Sequence, residues 1–401
     1  MINLISTMLL SRFRTPYEYG TYSQILIAVN LAVNIFSLGL PNSINYFFAR
    51  AEKKYDKQKF LYVYFLFATL SSLIAGLFLL VLMPKIELYF HNFNLHLYSY
   101  VFFLLPLSVI IIQSNSNILI VVGKSSKLVI YTFLHNASRL LAILFVFLFK
   151  FSFSTYMLLY MLIEIAFTTI VYIWAIKIGK FENIKTFKVP IYEIQKLLKQ
   201  MLNFSIPLGL GSMVSTISLE LDKLIIGNLM GTESLAIYTN AAKELPFVII
   251  ASAFTAVLMP KLSKMLKKNE KKEAVMLWGD SLLITYTLLC FLGVAIIVFA
   301  PQVIIFLYSE KYIAGVNVFR VYTLVLIMRS TYFGIILNIS GNTKKVFYSS
   351  IMSLLLNIIL NYSFFYIFGF IGPAIATFVC ILLVNSLQLI FTSKITEVAL
   401  K

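Results

Sequence analysis

FLYVYFLFATLSSLIAGLFLLVLM, residues 60–83, runs without a single charged side chain. An α-helix rises 1.5 Å per residue, so this run is about 36 Å long. The hydrocarbon core of a bilayer is about 30 Å thick. Comparable runs recur at 1–11, 21–48, 97–122, 128–149, 153–176, 203–230, 234–258, 274–300, 316–340, 346–368 and 370–393. Backbone groups inside hydrocarbon must be satisfied within the spanning structure, which leaves helices and closed barrels. A barrel would show alternating segments of about ten residues, a pattern this sequence lacks. With 60% hydrophobic and 12% charged residues, the chain has half the charged share of a soluble domain, about 25%. The expected fold class is an all-α polytopic membrane protein with about twelve transmembrane helices.

A net charge of +17 does not imply nucleic acid, because Lys and Arg concentrate in short loops that hold topology. ARAEKKYDKQK (49–59), GKSSK (123–127), the segment 177–199, PKLSKMLKKNEKKE (260–273) and NTKK (342–345) are basic. The loops between them are nearly free of Lys and Arg. The positive-inside rule places the basic set, and the C-terminus, in the cytoplasm. Cys290, Cys380 and the three histidines lack motif spacing, so neither a disulfide nor a metal site is expected. No catalytic constellation emerges, and an enzyme is not expected. Energy would come from an H+ or Na+ gradient, the cargo gradient or a partner, with no cofactor.

The hydrophilic segment 177–202 divides the chain into halves, 1–176 and 203–401, each read as a six-helix bundle. Beyond Pro190, Ile191, Ile194, Leu197, Leu198 and Met201 fall at helical spacing opposite Lys196 and Lys199, predicting an amphipathic interfacial helix. The halves repeat. Tyr22 answers Tyr238, Pro41 answers Pro260, and GKSSK answers GNTKK, at offsets of 216 to 219 residues. Duplication of this kind is typical of secondary transporters. It also places the counterpart of the seventh span about a dozen residues before Met1. The first span is therefore short, or the recorded start lies downstream of the true one, the reading we favour. MINLISTMLLSR has no basic n-region and no small-residue cleavage site, so a cleavable signal peptide is not expected in it.

LELDKLIIGNLMG (219–231) places Glu220, Asp222 and Lys223 inside the seventh span. An ionised side chain near the bilayer centre costs at least about 2.5–3.5 kcal/mol, so these residues must face protein or water. Gly209, Ser212, Thr216, Glu220, Lys223 and Gly227 form one small, polar stripe. It suits a hydrated cleft, or else an internal Glu220–Lys223 pair that only aids packing. Asp222 lies off the stripe and needs its own partner. Arg12, Arg139, Lys243 and Arg329 join Lys223 as candidate contacts to an anionic cargo, since Arg can hold phosphate in a two-pronged grip. Glu164, Glu220, Asp222, Glu244 and Asp280 are the candidate counter-charges or ion-coupling groups. Prolines 41, 207, 246 and 260 can bend helices.

At SRFRTPYEYGTYSQ, GLPNSINYFFA, FSIPLGLGSMVSTISLELDKLIIGNLMG, SLAIYTNA, VLMPKLSK and FGFIGPAIAT, the sequence resembles the polysaccharide (O-antigen) flippases. These belong to the multidrug/oligosaccharidyl-lipid/polysaccharide (MOP) exporter superfamily. The resemblance implies two pseudo-symmetric six-helix bundles and a central cationic cavity. It also implies a multi-pass protein of the bacterial inner membrane, working in O-antigen or lipopolysaccharide biosynthesis. The implied cargo is an undecaprenyl-pyrophosphate-linked oligosaccharide, moved from the cytoplasmic to the periplasmic leaflet by alternating access. The polysaccharide polymerase and chain-length machinery are implied partners. Arg12, Asp222, Lys223 and Tyr238 fall where the family pattern has equivalents. A cation-coupled drug exporter of the same fold would favour an acidic chamber. A polymerase would need a large periplasmic loop, whereas the longest non-cytoplasmic loop here is about fifteen residues. A structural member of a synthase complex predicts that neutralising the intramembrane charges changes nothing.

Overall fold

A computed structural model describes residues 2–181, 187, 189–243, 248–330 and 333–398. The described residues are overwhelmingly helical and contain no strand. They form two compact units, 1–217 and 218–401. The first holds α1 (Ile2–Phe13), α2 (Pro16–Phe36), α3 (Leu40–Ser43), α4 (Lys54–Phe90), α5 (Ser99–Val121), α6 (Ser125–Leu148) and α7 (Phe153–Gly179). Helix α8 (Ile191–Leu229) crosses the division. The second continues with α9 (Gly231–Ala241), α10 (Val248–Lys267), α11 (Lys271–Val298), α12 (Ala300–Leu307) and α13 (Val316–Ser330). It ends with α14 (Ile335–Ile339), α15 (Thr343–Phe368) and α16 (Gly372–Thr396).

Among the described residues, eight helical segments are long and apolar enough to cross a membrane, or nine counting the bent α2–α3 pair. One of the eight contains both α15 and α16, which pack side by side. On α4, Leu70, Ile74, Leu77, Phe78 and Val81 all face outward. Their spacing of three and four residues makes one continuous stripe, which in water would be a liability and in lipid is solvated. Small residues let the helices approach closely, as membrane helix packing requires. The backbone of Phe103 on α5 fills the place of a Cβ on Gly76 of α4.

The expected spans are broadly present, with specific departures. The span read at 21–48 bends by 47° between Phe36 and Leu40. Leu38 and Gly39 are both left-handed there, at φ 49° and 68°, and Pro41 lacks an N–H to carry the helix through. The bend lies against α8. A Cβ on Gly39 would sit 2.6 Å from the Ser205 carbonyl oxygen and 2.7 Å from the Gly209 nitrogen. The predicted interfacial helix and the seventh span are one uninterrupted helix, α8, and Pro207 does not end it. IYEIQKLLKQMLNFS contains no Gly or Pro and is rich in strong helix formers, so nothing stops the helix at the first apolar turn. The eighth span is interrupted after Ala241, and Pro246 lies outside the described residues. In the tenth, a turn at Phe333 and Gly334 precedes α14, and residues 331 and 332 lie outside the described residues. Pro260 lies inside α10.

The repeat extends to hydrogen bonding. Gly123 and Gly341 are left-handed, at φ 71° and 79°. The Gly123 N–H donates to the Ile120 carbonyl at 3.0 Å, and the Lys124 N–H to Leu119 at 2.8 Å. The Gly341 N–H donates to Asn338 at 3.2 Å, and the Asn342 N–H to Leu337 at 2.9 Å. Both are Schellman endings, each followed within two residues by a new helix.

Candidate functional site: charges held inside each unit

In the first unit α6 and α7 bring together His135, Arg139 and Glu164. The Arg139 Nε donates to Glu164 Oε1 at 2.7 Å, and His135 Nε2 lies 3.1 Å from the same oxygen. Glu164 is fully buried. Its Oε2 has no hydrogen-bond partner among the described residues. Tyr156, Tyr160, Glu164 and Thr168 recur every four residues, so they lie along one side of α7. All four are buried. The Arg139 guanidinium sits 5.3 Å from the centroid of the Tyr160 ring, within cation–π range. Tyr22 of α2 closes the group, 6.0 Å from Tyr160 and 6.2 Å from Tyr156. The Arg139 side chain remains 25% exposed. Of its five donors, only Nε is engaged within the described residues, leaving the Nη groups able to grip an anion.

The second unit has a different arrangement. Asp222 is buried and takes its side-chain partners from other helices. The Tyr238 hydroxyl on α9 donates to Oδ2 at 3.2 Å, and the Tyr322 hydroxyl on α13 donates to the same oxygen. The Lys223 backbone N–H donates to Oδ1 at 2.8 Å. Neutral donors therefore stabilise this carboxylate, which sequence reasoning left in search of a partner. Lys223 Nζ bonds Glu220 Oε2 at 2.9 Å along the same helix, the local i, i+3 pair weighed above. Lys243 follows α9 and lies within electrostatic range of Lys223.

The remaining candidates are more scattered. Arg12 is exposed at the end of α1, while its neighbour Arg14 ties α1 to the α6–α7 turn by donating from Nη2 to the Phe151 carbonyl at 2.8 Å. Arg329 lies partly exposed at the end of α13, and Asp280 is exposed on α11. Glu244 lies outside the described residues. On the stripe of α8, Gly209 abuts the Leu38–Gly39 backbone instead of facing open space, whereas Ser212 is exposed. Sequence reasoning missed the roles of Tyr156, Tyr160 and Tyr322. The four-residue recurrence ending in Glu164 could have revealed the first two. No local signal connects Tyr322 to Asp222, a hundred positions earlier. Among the described residues no cluster of His, Cys, Asp and Glu could hold a metal.

A family model described as "Polysaccharide biosynthesis protein" matches residues 1–266 of the 401. The chain belongs to this family. Solved structures place the polysaccharide biosynthesis chain in the MOP fold. An inward-facing multidrug resistance MATE transporter of the MOP superfamily aligns at TM-score 0.77 and 15% identity, covering 100% of this chain and 96% of that one. The lipid II flippase MurJ, in an inward closed conformation, aligns at 0.73 and 20%, covering 98% and 85%. A MOP superfamily transporter from Pyrococcus furiosus, described as having a binding pocket of reverse polarity, aligns at 0.63 and 16%, covering 99% and 91%. Among curated proteins no sequence matches significantly. The family member is thus a multi-pass membrane protein with the fold of transporters.

Proposed function

We propose that this protein is a flippase that moves an undecaprenyl-pyrophosphate-linked oligosaccharide from the cytoplasmic to the periplasmic leaflet by alternating access. It would act in the bacterial inner membrane with its C-terminus in the cytoplasm, beside the polymerase and chain-length machinery. Residues 1–176 and 203–401 would be its two six-helix bundles, joined by 177–202. The polysaccharide biosynthesis family supports a cargo on that pathway, and a lipid II flippase shares the fold. A diphosphate and its sugars cannot enter hydrocarbon unaided, because an unpaired charge there is prohibitively costly. The observation that carries the reading is Arg139. It is a guanidinium midway along an apolar helix, anchored through Nε, partly exposed, with its Nη donors available. Such a fork suits a phosphate oxygen pair. Lys223 and Lys243 would add charge in the second bundle, Arg12 and Arg329 nearer helix ends. Asp222 and Glu164 are the groups on which an H+ or Na+ could act.

The test is Arg139→Ala in cells that depend on this gene for surface polysaccharide, with membrane abundance measured alongside. Polymer should disappear while the protein stays inserted, and Arg139→Lys should restore part of it. Normal polymer from both Arg139→Ala and Lys223→Ala would remove the cationic mechanism.

A further inference from the structure

We propose that the lysine-rich end of the first unit carries a second, independent binding site for a phosphate group, borne by a membrane lipid or free in solution. A cavity of about 570 Å³ opens there, lined by Lys54, Lys57, Lys124, Lys177, Lys180 and Glu52. That volume lies within the roughly 300–1,000 Å³ of ordinary ligand pockets. Three separate stretches of chain supply the lysines: the start of α4, the α5–α6 turn and the end of α7.

Topology alone needs lysines near the membrane surface; it does not need five of them converging on one concavity whose described lining holds a single carboxylate, Glu52. Among the described residues, Lys57, Lys124, Lys177 and Lys180 form no ion pair with an acid. Packed together they repel one another, and an anion in the cavity would offset that repulsion. Phe48, Val122 and Ile178 give the cavity an apolar wall, suited to the glycerol or acyl portion of an amphiphile beside its head. Basic pockets between membrane helices bind anionic lipid heads in this manner.

The walls are fixed in place. The Gln58 Nε2 donates to the Lys180 carbonyl at 3.0 Å, tying α4 to the end of α7. Lys180 itself caps α7 in the left-handed conformation, at φ 50°. The Schellman ending at Gly123 sets the direction of the chain just before Lys124. None of the intramembrane charges of the preceding reading takes part, so this site stands whether or not the protein is a flippase.

The test uses the full chain in neutral detergent. Retention of phosphatidylglycerol over phosphatidylcholine is read by native mass spectrometry, and inorganic pyrophosphate is titrated by calorimetry. The variant Lys57→Gln/Lys124→Gln/Lys177→Gln/Lys180→Gln is compared with Lys261→Gln/Lys264→Gln/Lys267→Gln/Lys268→Gln, which neutralises exposed lysines along and just past α10. The expected result is preferential retention of phosphatidylglycerol, weakened roughly tenfold or more by the first variant and less than about twofold by the second. Displacement of the lipid by pyrophosphate assigns recognition to the phosphate itself, with free phosphate as an occupant. Retention against millimolar pyrophosphate assigns the occupant as lipid. Equal losses in both variants, or no binding of either probe, would overturn the proposal. Gel filtration of each variant checks that the fold persists.

Discussion

The Nε of Arg139 lies 2.7 Å from Oε1 of Glu164, joining α6 to α7 between two charges that neither helix could hold alone in lipid. Removing one partner of such a pair leaves the other buried and uncompensated, at a cost of about 3–5 kcal/mol where burial is complete. Arg139 is a quarter exposed, so about 2–3 kcal/mol is expected from Arg139→Gln. Glu164→Gln/Arg139→Gln should recover most of it, because two neutral amides can bond each other. Thermal unfolding in detergent reads the cycle, and simply additive losses would contradict the coupling.

Asp222 depends on two phenols from other helices, Tyr238 on the next helix and Tyr322 on α13. Tyr238→Phe and Tyr322→Phe each delete a hydrogen bond to a charged acceptor, an effect of about 1.5–3 kcal/mol apiece. Adding Asp222→Asn to the double phenylalanine variant should restore stability, since the costly charge is then gone. A triple variant no more stable than the double would show that the tyrosines act through packing alone.

The matched turns make a controlled pair. A Cβ at Gly123 or Gly341 meets nothing within 4 Å, so any penalty for alanine comes from the positive φ, about 1 kcal/mol each. Gly123→Ala and Gly341→Ala should lower the melting temperature by similar amounts, and asparagine at either position should recover part of the loss.

Outside the apolar run that begins at Phe60, Lys59 Nζ bonds Glu193 Oε2 at 2.9 Å and fastens the start of α8 to α4. The hydrogen bond from Lys59 holds the Glu193 carboxyl below its ordinary range, and the same bond holds the Lys59 ammonium above its own. The acid contributes fully above its unfolded value, about 4.3, and the contribution fades as pH falls through the lower folded value. The lysine contributes fully below about 10.4, and the contribution fades as pH rises through the higher folded value. Attachment should therefore be flat from about pH 5 to pH 10 and loosen at both extremes. Spin labels at Lys53→Cys and Tyr192→Cys would follow it. Glu193→Gln should give the loosened distance at every pH.

Much of the fold was legible because a bilayer imposes a length on apolar runs, and a turn such as GKSSK or GNTKK announces itself through its glycine. The repeat found from Tyr22, Pro41 and Gly123 reached as far as individual hydrogen bonds. The continuity of α8 was not legible. Leu197, Leu198 and Met201 read alike whether a helix lies on a surface or runs straight into the span, and only packing separates the two. At the site, Glu164 and Arg139 stood out as charges in an apolar setting. The tyrosines around them looked like ordinary aromatic filling, and the reach of Tyr322 to Asp222 exists only once α13 has packed.

Gly39 against Gly209 gives one more contrast. Gly39→Ala should collide with main chain and cut the yield of folded protein. Gly211→Ala, where a Cβ meets nothing within 4 Å, should be neutral or slightly stabilising, as alanine is a better helix former by about 1 kcal/mol. Size-exclusion profiles of the two variants would decide it.

That meeting of bare backbones also determines where the first unit resists yielding. With no side chains between them, main chain packs directly on main chain at Leu38–Gly39 and Gly209, the close approach through which membrane helices gain dispersion contact. The bend at residues 37–39 is thus a rivet, and prising the segment after it away from α8 would forfeit that contact.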